Sequence, residues 1–173
     1  MRVIITDIES FDMPVSADVQ IVSPATGSGN IKNCIGCFGC WHKTPGECVI
    51  HDGFERTGAK LGHCDQLIFV SECVYGSLSP FCKMVLDRSI SYVHPNFVMR
   101  RGEMHHKRRY DNVITVTAHF YGRDITEEEK ETAKKLMQAN ADNYDGFVGE
   151  IYFHDSAEAA QAALAAEAKG VAL

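Results

Sequence analysis

The sequence predicts an α/β fold in which a parallel sheet carries helices on both faces. Three observations carry that prediction. Apolar runs of four to seven residues, rich in Val and Ile, recur along the chain. Helix start signals stand between them, so strands and helices alternate. No linker rich in Gly or Pro divides the chain, and 173 residues suit one domain, 1–173.

The elements follow in order. Arg2–Thr6 reads as the first strand and Val19–Val22 as the second. The stretch between them is close to the minimum of roughly a dozen residues for a parallel crossover, so the first crossover helix is expected to be shortened or absent. Residues 23–53 are dominated by Pro, Gly, Asn and Cys and read as a long loop with a Cys-rich part at 31–53, the kind of loop that usually carries function. Asp52 with Glu55 signals a helix running to about His63. Residues 66–71 form the clearest buried strand. Ser79 is an N-cap with Pro80 in the first helical position, and the helix should reach about Ser91. Residues 93–111, rich in His and Arg without apolar period, read as a basic, lid-like loop or irregular insertion. Residues 113–118 are a strand. Thr126 and Glu129 make a capping box for a helix through Asn143. Residues 147–153 are the fifth strand, and Asp155 with Glu158 caps an Ala-rich final helix. The leading arrangement is a flavodoxin-like three-layer sandwich with sheet order 2-1-3-4-5. Ligands of such sheets lie beyond the carboxyl ends of the strands, which points to residues 7–12, 72–79 and 119–124.

The composition narrows the chemistry. The formal charge is 17 − 23 = −6, so nucleic acid is not an expected partner. No apolar run approaches the roughly 18 residues of a membrane span. Met1 to Asp7 meets an acid too early for a signal peptide, and the expectation is a cytoplasmic protein with reduced thiols. Of seven cysteines, Cys34, Cys37, Cys40 and Cys48 cluster, with gaps of two, two and seven residues, whereas Cys64, Cys73 and Cys82 are scattered. Two-residue gaps in a turning loop let successive thiolates point inward, and a fourth arrives from further along, as a cubane cluster requires. Gly36 and Gly39 leave the backbone free to wrap closely. Zinc competes, although its structural sites favour two separated Cys-x-x-Cys pairs. Thiols without metal, packing the loop or reacting, are the third reading.

The segment CIGCFGCWHKTPGECVIHD (34–52) is followed one helix and one strand later by Val74, Tyr75, Gly76, Ser77, Leu78 and Ser79, then Lys83, Asp87 and Arg88. Together these resemble the iron–sulfur flavoprotein branch of the flavodoxin-like NAD(P)H-dependent FMN reductases over about residues 31–90. The resemblance implies a [4Fe-4S] cluster on Cys34, Cys37, Cys40 and Cys48. It also implies FMN, its ring edged by Val74, Tyr75, Gly76 and Ser77 with Ser79 alongside, and with His119 near the flavin or substrate. Further implications are a reduced nicotinamide or ferredoxin-type donor, a small-molecule acceptor such as a quinone, and a homodimer or homotetramer. The bland readings are that Tyr75 is a core aromatic, Gly76 a turn residue and His119 a capped loop histidine.

One departure from that family is plain. FMN carries a phosphate of about −1.5 to −2 charge. The family holds it in a Gly-Ser-Pro-Arg-like loop after the first strand, but the sequence there is Thr6-Asp7-Ile8-Glu9-Ser10-Phe11-Asp12. A carboxylate beside a phosphate costs on the order of 1 kcal/mol even when solvated. Thr26-Gly27-Ser28-Gly29-Asn30 resembles a replacement cradle, but it follows the second strand rather than the first, which counts against it. The basic residues Arg100, Arg101, Arg108 and Arg109 are another source of charge, either as an anion site or as a solvated face. Two functions therefore stand. The first is a redox protein transferring electrons through FMN and a [4Fe-4S] cluster. The second is a degenerate flavodoxin-like protein, without FMN, acting as a metal- or thiol-based binding or assembly protein. A third reading makes Cys73 or Cys82 a nucleophile.

Overall fold

The computed structural model describes residues 1–11, 17–27 and 30–168. At its centre lies a parallel sheet of β1 (Arg2–Thr6), β2 (Val19–Val22), β3 (Gln66–Glu72), β6 (Thr115–Tyr121) and β7 (Phe147–His154), in the order β2-β1-β3-β6-β7. Counting only the strands of this sheet, the order is 2-1-3-4-5, the flavodoxin-like arrangement. Pairing runs in register from Arg2 with Gln66 to Thr6 with Val70, and from Gln66 with Thr115 to Glu72 with Tyr121.

Strands buried on both faces explain the continuous apolar runs. Val3, Ile5, Leu67, Phe69, Val116 and Phe120 face one layer, built from α2 (Thr57–Leu61), α3 (Pro80–Arg88) and α4 (Glu127–Asn143). Ile4, Ile68 and Val70 face the other, where Ala160 and Leu164 of α5 (Ala157–Ala168) cover them. The short α1 (Gly39–His42) lies inside the cysteine loop.

Helix starts obey their signals with local corrections. Ser79 accepts from the Cys82 N–H with Pro80 following, and Thr126 with Glu129 completes the capping box. Glu55 instead accepts from the Asp52 and Gly53 N–H groups at 3.3 and 2.8 Å, building a turn, and α2 begins only at Thr57. The cap of α5 is Ser156, whose hydroxyl accepts from the Ala159 N–H. Beyond Arg88, α3 tightens into a 3₁₀ turn, Ser89–Tyr92. Of the first crossover, residues 7–11, 17 and 18 are turn or irregular; residues 12–16 lie outside the described residues, as do Ser28 and Gly29 of the candidate cradle.

The basic segment is an antiparallel hairpin, β4 (Val93–Arg100) and β5 (Glu103–Arg108). Arg101 and Gly102 turn it with φ of 50° and 83°, the positive values of a tight two-residue loop. Its arginines make ion pairs and hydrogen bonds, although Arg101 stays exposed. Arg100 donates to the Asp142 and His106 carbonyls, Arg101 pairs with Asp142, and Arg108 pairs with Asp145 at 2.7 Å. Cations there complement the C-terminal end of α4.

Candidate functional site

Cys34, Cys37, Cys40 and Cys48 all line one cavity of about 100 Å³, so the loop brings the predicted quartet together. Cys34 and Cys37 are exposed at its mouth; Cys40 and Cys48 are buried. Burial pushes the Cys40 thiol up, and negative charge on Cys48, Cys34 and Cys37 adds to the shift. As the side chains stand, no three His, Cys, Asp or Glu groups among the described residues are arranged to hold a metal ion.

The loop is closed at its base by a buried ion pair. Arg88, at the end of α3, meets Asp52 through two contacts of 2.8 and 3.0 Å, with the two side chains 0% and 2% exposed. The same guanidinium donates to the Lys32 carbonyl just before the cysteines and to the Ile50 carbonyl just after them. Asp52 also accepts from the Lys32 and Phe54 N–H groups. Burial alone would raise the Asp52 carboxyl, but these hydrogen bonds outweigh it and hold the group at about 2. Burial alone would lower Arg88; Asp52 and negative charge on Cys48 outweigh that and keep it protonated. The last donor, Arg88 Nε, is buried without a well-formed hydrogen bond, and Arg88 is among the residues that line the thiol cavity. Sequence reasoning missed this clamp, reading Asp52 as a helix signal and Arg88 only through a resemblance.

The loop after β3 is a tight turn. Val74 and Ser77 exchange two backbone hydrogen bonds of 2.9 Å, with Tyr75 and Gly76 at φ of 51° and 74°. Tyr75 is 88% exposed, not core. A Cβ on Gly76 would lie 2.7 Å from the Glu129 carbonyl oxygen, so this position needs glycine for space as well as φ. The Ser77 amide, expected to face a ligand, closes the turn instead. Ser79 is consumed as the cap of α3. The turn leads into the start of α3, whereas Arg88, which lines the thiol cavity, ends that nine-residue helix, about 13 Å along its axis.

His119 is fully buried under α5, not exposed at the strand ends. Its Nδ1 lies 3.1 Å from His154 Nε2, and its Nε2 lies 3.6 Å from Glu167 Oε1. Burial pushes His119 down to about 4 and Glu167 up, so both are driven toward their neutral forms. Asp7, where a flavin phosphate was expected, accepts from the Glu72 N–H at 3.0 Å and the Tyr121 hydroxyl at 2.9 Å. Its carboxylate thus joins the carboxyl ends of β1, β3 and β6. Burial raises Cys73, and it pushes Cys82 up to about 12, so neither is an activated nucleophile.

No family model matches the chain, and no curated protein sequence matches it. Among solved structures, it is similar to an FMN-dependent NADH-azoreductase from Bacillus anthracis in complex with FMN, with TM-score 0.56 and 11% identity over 99% of both chains. It is also similar to the azoreductase AzrA, with TM-score 0.54 and 11% identity over 99% of this chain and 98% of that one. A third is the general stress protein 14 in complex with FMN from Treponema denticola, with TM-score 0.50 and 10% identity over 98% and 94%. At such identities the likeness establishes the fold, which is flavodoxin-like.

Proposed function

We propose that this chain is a redox protein of the flavodoxin-like reductase type. It would carry electrons from a reduced nicotinamide or ferredoxin-type donor to a small acceptor, with a [4Fe-4S] cluster held by Cys34, Cys37, Cys40 and Cys48. One observation carries the reading: four cysteines line a single cavity whose wall also includes the buried Arg88. The donor set suits iron–sulfur ligation, and a cationic neighbour suits the negative charge of a thiolate-ligated cluster. When bound, the cluster supplies one-electron transfer. The chain's own part is to fix the loop through Arg88 and Asp52, to bury two of the thiols and to leave Cys34 and Cys37 reachable from outside.

FMN is the second cofactor, favoured by the two FMN-bearing fold neighbours and by the exposed Tyr75 turn. The turn fits a ring edge. The Asp7 carboxylate, held by the Glu72 N–H and the Tyr121 hydroxyl where the phosphate was expected, does not fit the phosphate end. The resemblance to the flavoprotein branch further implies a homodimer or homotetramer. Reduced thiols at this site suit a reducing, cytoplasmic compartment.

The test is anaerobic purification with iron, sulfide, zinc and flavin assayed on one sample. About four irons and four sulfides per chain are expected. Zinc, or thiols without metal, would return the chain to the binding or assembly reading; stoichiometric flavin would add FMN despite Asp7.

A further inference from the structure

Two segments stand apart in charge. Residues 30–46 and 93–110, the cysteine loop and the hairpin, hold seven Lys or Arg and one acid, Glu103, whereas the rest of the chain holds ten and twenty-two. An acidic protein thus gathers basic residues on the elements beside the thiol cavity. Arg100, Arg101 and Arg108 are spent on Asp142 and Asp145. Lys32, Lys43 and Lys107 are exposed and form no ion pair among the described residues.

The same segments carry five of the eight large apolar side chains exposed among the described residues: Ile35, Phe38, Phe97, Met99 and Met104, each 51–72% exposed. These make one surface. Phe97 pairs with His106 and Met99 with Met104 across the hairpin, and strand alternation puts all four on one face. His106 lies 4.7 Å from Phe97 and 4.9 Å from Trp41 between ring centroids, and Trp41 stacks on Phe38 at 5.1 Å. This row of rings joins the hairpin face to the cysteine loop. It is fixed by the His94 carbonyl, 2.9 Å from His106 Nδ1, and by the Val93 carbonyl, which accepts from Trp41 Nε1 at 3.1 Å. Cys34 lines both the thiol cavity and an apolar cleft walled by Phe97 and Met104, so the mouth of the thiol cavity adjoins the surface.

Exposed apolar patches with a polar rim mark contact surfaces, and charge separates the occupants. A second copy in an isologous pair would set this basic face against itself. Protein interfaces are depleted in lysine. Projecting Ile, Phe and Met beside unpaired lysines suit a bilayer surface, where apolar side chains enter the acyl boundary and ammonium groups stay among anionic headgroups. We propose that this face docks the protein on an anionic lipid bilayer, lying on it without spanning it. Ile35, Phe38, Phe97, Met99 and Met104 enter the boundary, and Lys32 and Lys43, on either side of Ile35 and Phe38 in the loop, meet the headgroups. The assignment depends on no bound cluster or flavin. Docking turns the mouth of the thiol cavity toward the bilayer.

The test is sedimentation of the full chain with sucrose-loaded vesicles of about 30% phosphatidylglycerol in phosphatidylcholine. A net charge of −6 works against adsorption, so binding reports the basic face. The protein should sediment with these vesicles in about 0.05 M salt, come off in about 0.5 M, and stay in solution with pure phosphatidylcholine. Trp41, the only tryptophan, should shift its emission to the blue on docking. Lys32→Gln with Lys43→Gln should weaken binding about tenfold. Ile35→Ser with Met99→Ser and Met104→Ser, all at exposed positions, should weaken it at least as much. Tyr75→Ser, which removes an exposed ring outside the patch, should bind as the wild type does. No sedimentation with anionic vesicles in low salt would overturn the proposal, as would full binding by the triple serine variant or an equal loss in Tyr75→Ser. Absent binding together with a fall in molar mass in the triple serine variant would give the face to a second copy instead.

Discussion

Replacing Asp52 by Ala removes the acceptor for four contacts at once: Arg88 Nη1 at 2.8 Å, Arg88 Nη2 at 3.0 Å, the Lys32 N–H at 2.9 Å and the Phe54 N–H at 3.2 Å. Arg88 stays buried and protonated beside the thiols without its counter-charge. Removing one partner of a buried pair costs about 3–5 kcal/mol, a large share of the 5–15 kcal/mol typical of a domain. In urea, with a slope of about 1–3 kcal/mol per molar, the midpoint should fall by more than about 1 M. Acid gives a second signature. The Asp52 carboxyl sits at about 2 in the fold against 3.8 ordinarily, so its contribution is present above pH 4 and is lost as pH falls through 2. That is about 2 kcal/mol of acid loss in the wild type, absent from Asp52→Ala. The buried Cys40 and Cys48 should also react faster with a thiol reagent once the loop base is open. An unchanged midpoint with the same acid slope would refute the clamp.

Three further outcomes follow from the packing. His119 sits at about 4, below its ordinary 6.5, so it costs stability as pH falls from 6.5 to 4, about 3 kcal/mol in all. Glu167, raised by burial, is stabilising on the acid side and offsets part of that loss. His119→Phe should flatten the curve in this window, as read by thermal melts at several pH values. Gly76→Ala should cost about 1–3 kcal/mol in chemical unfolding, because the position combines φ of 74° with a Cβ site 2.7 Å from the Glu129 carbonyl oxygen. Arg100→Ala should speed amide exchange in residues 93–108 while leaving the central sheet protected, because Arg100 bonds the hairpin to the Asp142 carbonyl.

Much of the sheet was legible because strands buried on both faces write unbroken apolar runs. Arg2–Thr6 and Val19–Val22 have the predicted bounds, and β3 is one residue longer than read. The hairpin was not legible through hydrophobic pattern: its strands, VHPNFVMR and EMHHKR, show no regular apolar alternation, and tertiary ion pairs hold it to α4. Its one local sign is the Arg101-Gly102 pair, a turn usually announced by Asn-Gly. At the site, the cysteine spacing points to a cluster on four thiolates; the four cysteines line one cavity, but no three ligand groups among the described residues are set to hold a metal ion. The Arg88–Asp52 clamp was hidden because its partners are 36 residues apart and Asp52 also fits a helix signal. His119 misled for a related reason. Its place near a strand end is real, but strand alternation turns the side chain under α5.

The central claim, that four cysteines around one cavity hold an iron–sulfur cluster, is tested most directly by iron and sulfide per chain in single Cys→Ser variants prepared without oxygen. Cys34→Ser, Cys37→Ser, Cys40→Ser and Cys48→Ser should each lose most of their iron and sulfide. Cys73→Ser, outside the cavity, should keep the wild-type content of about four of each. Equal iron in all five variants, or none in the wild type, would contradict the account.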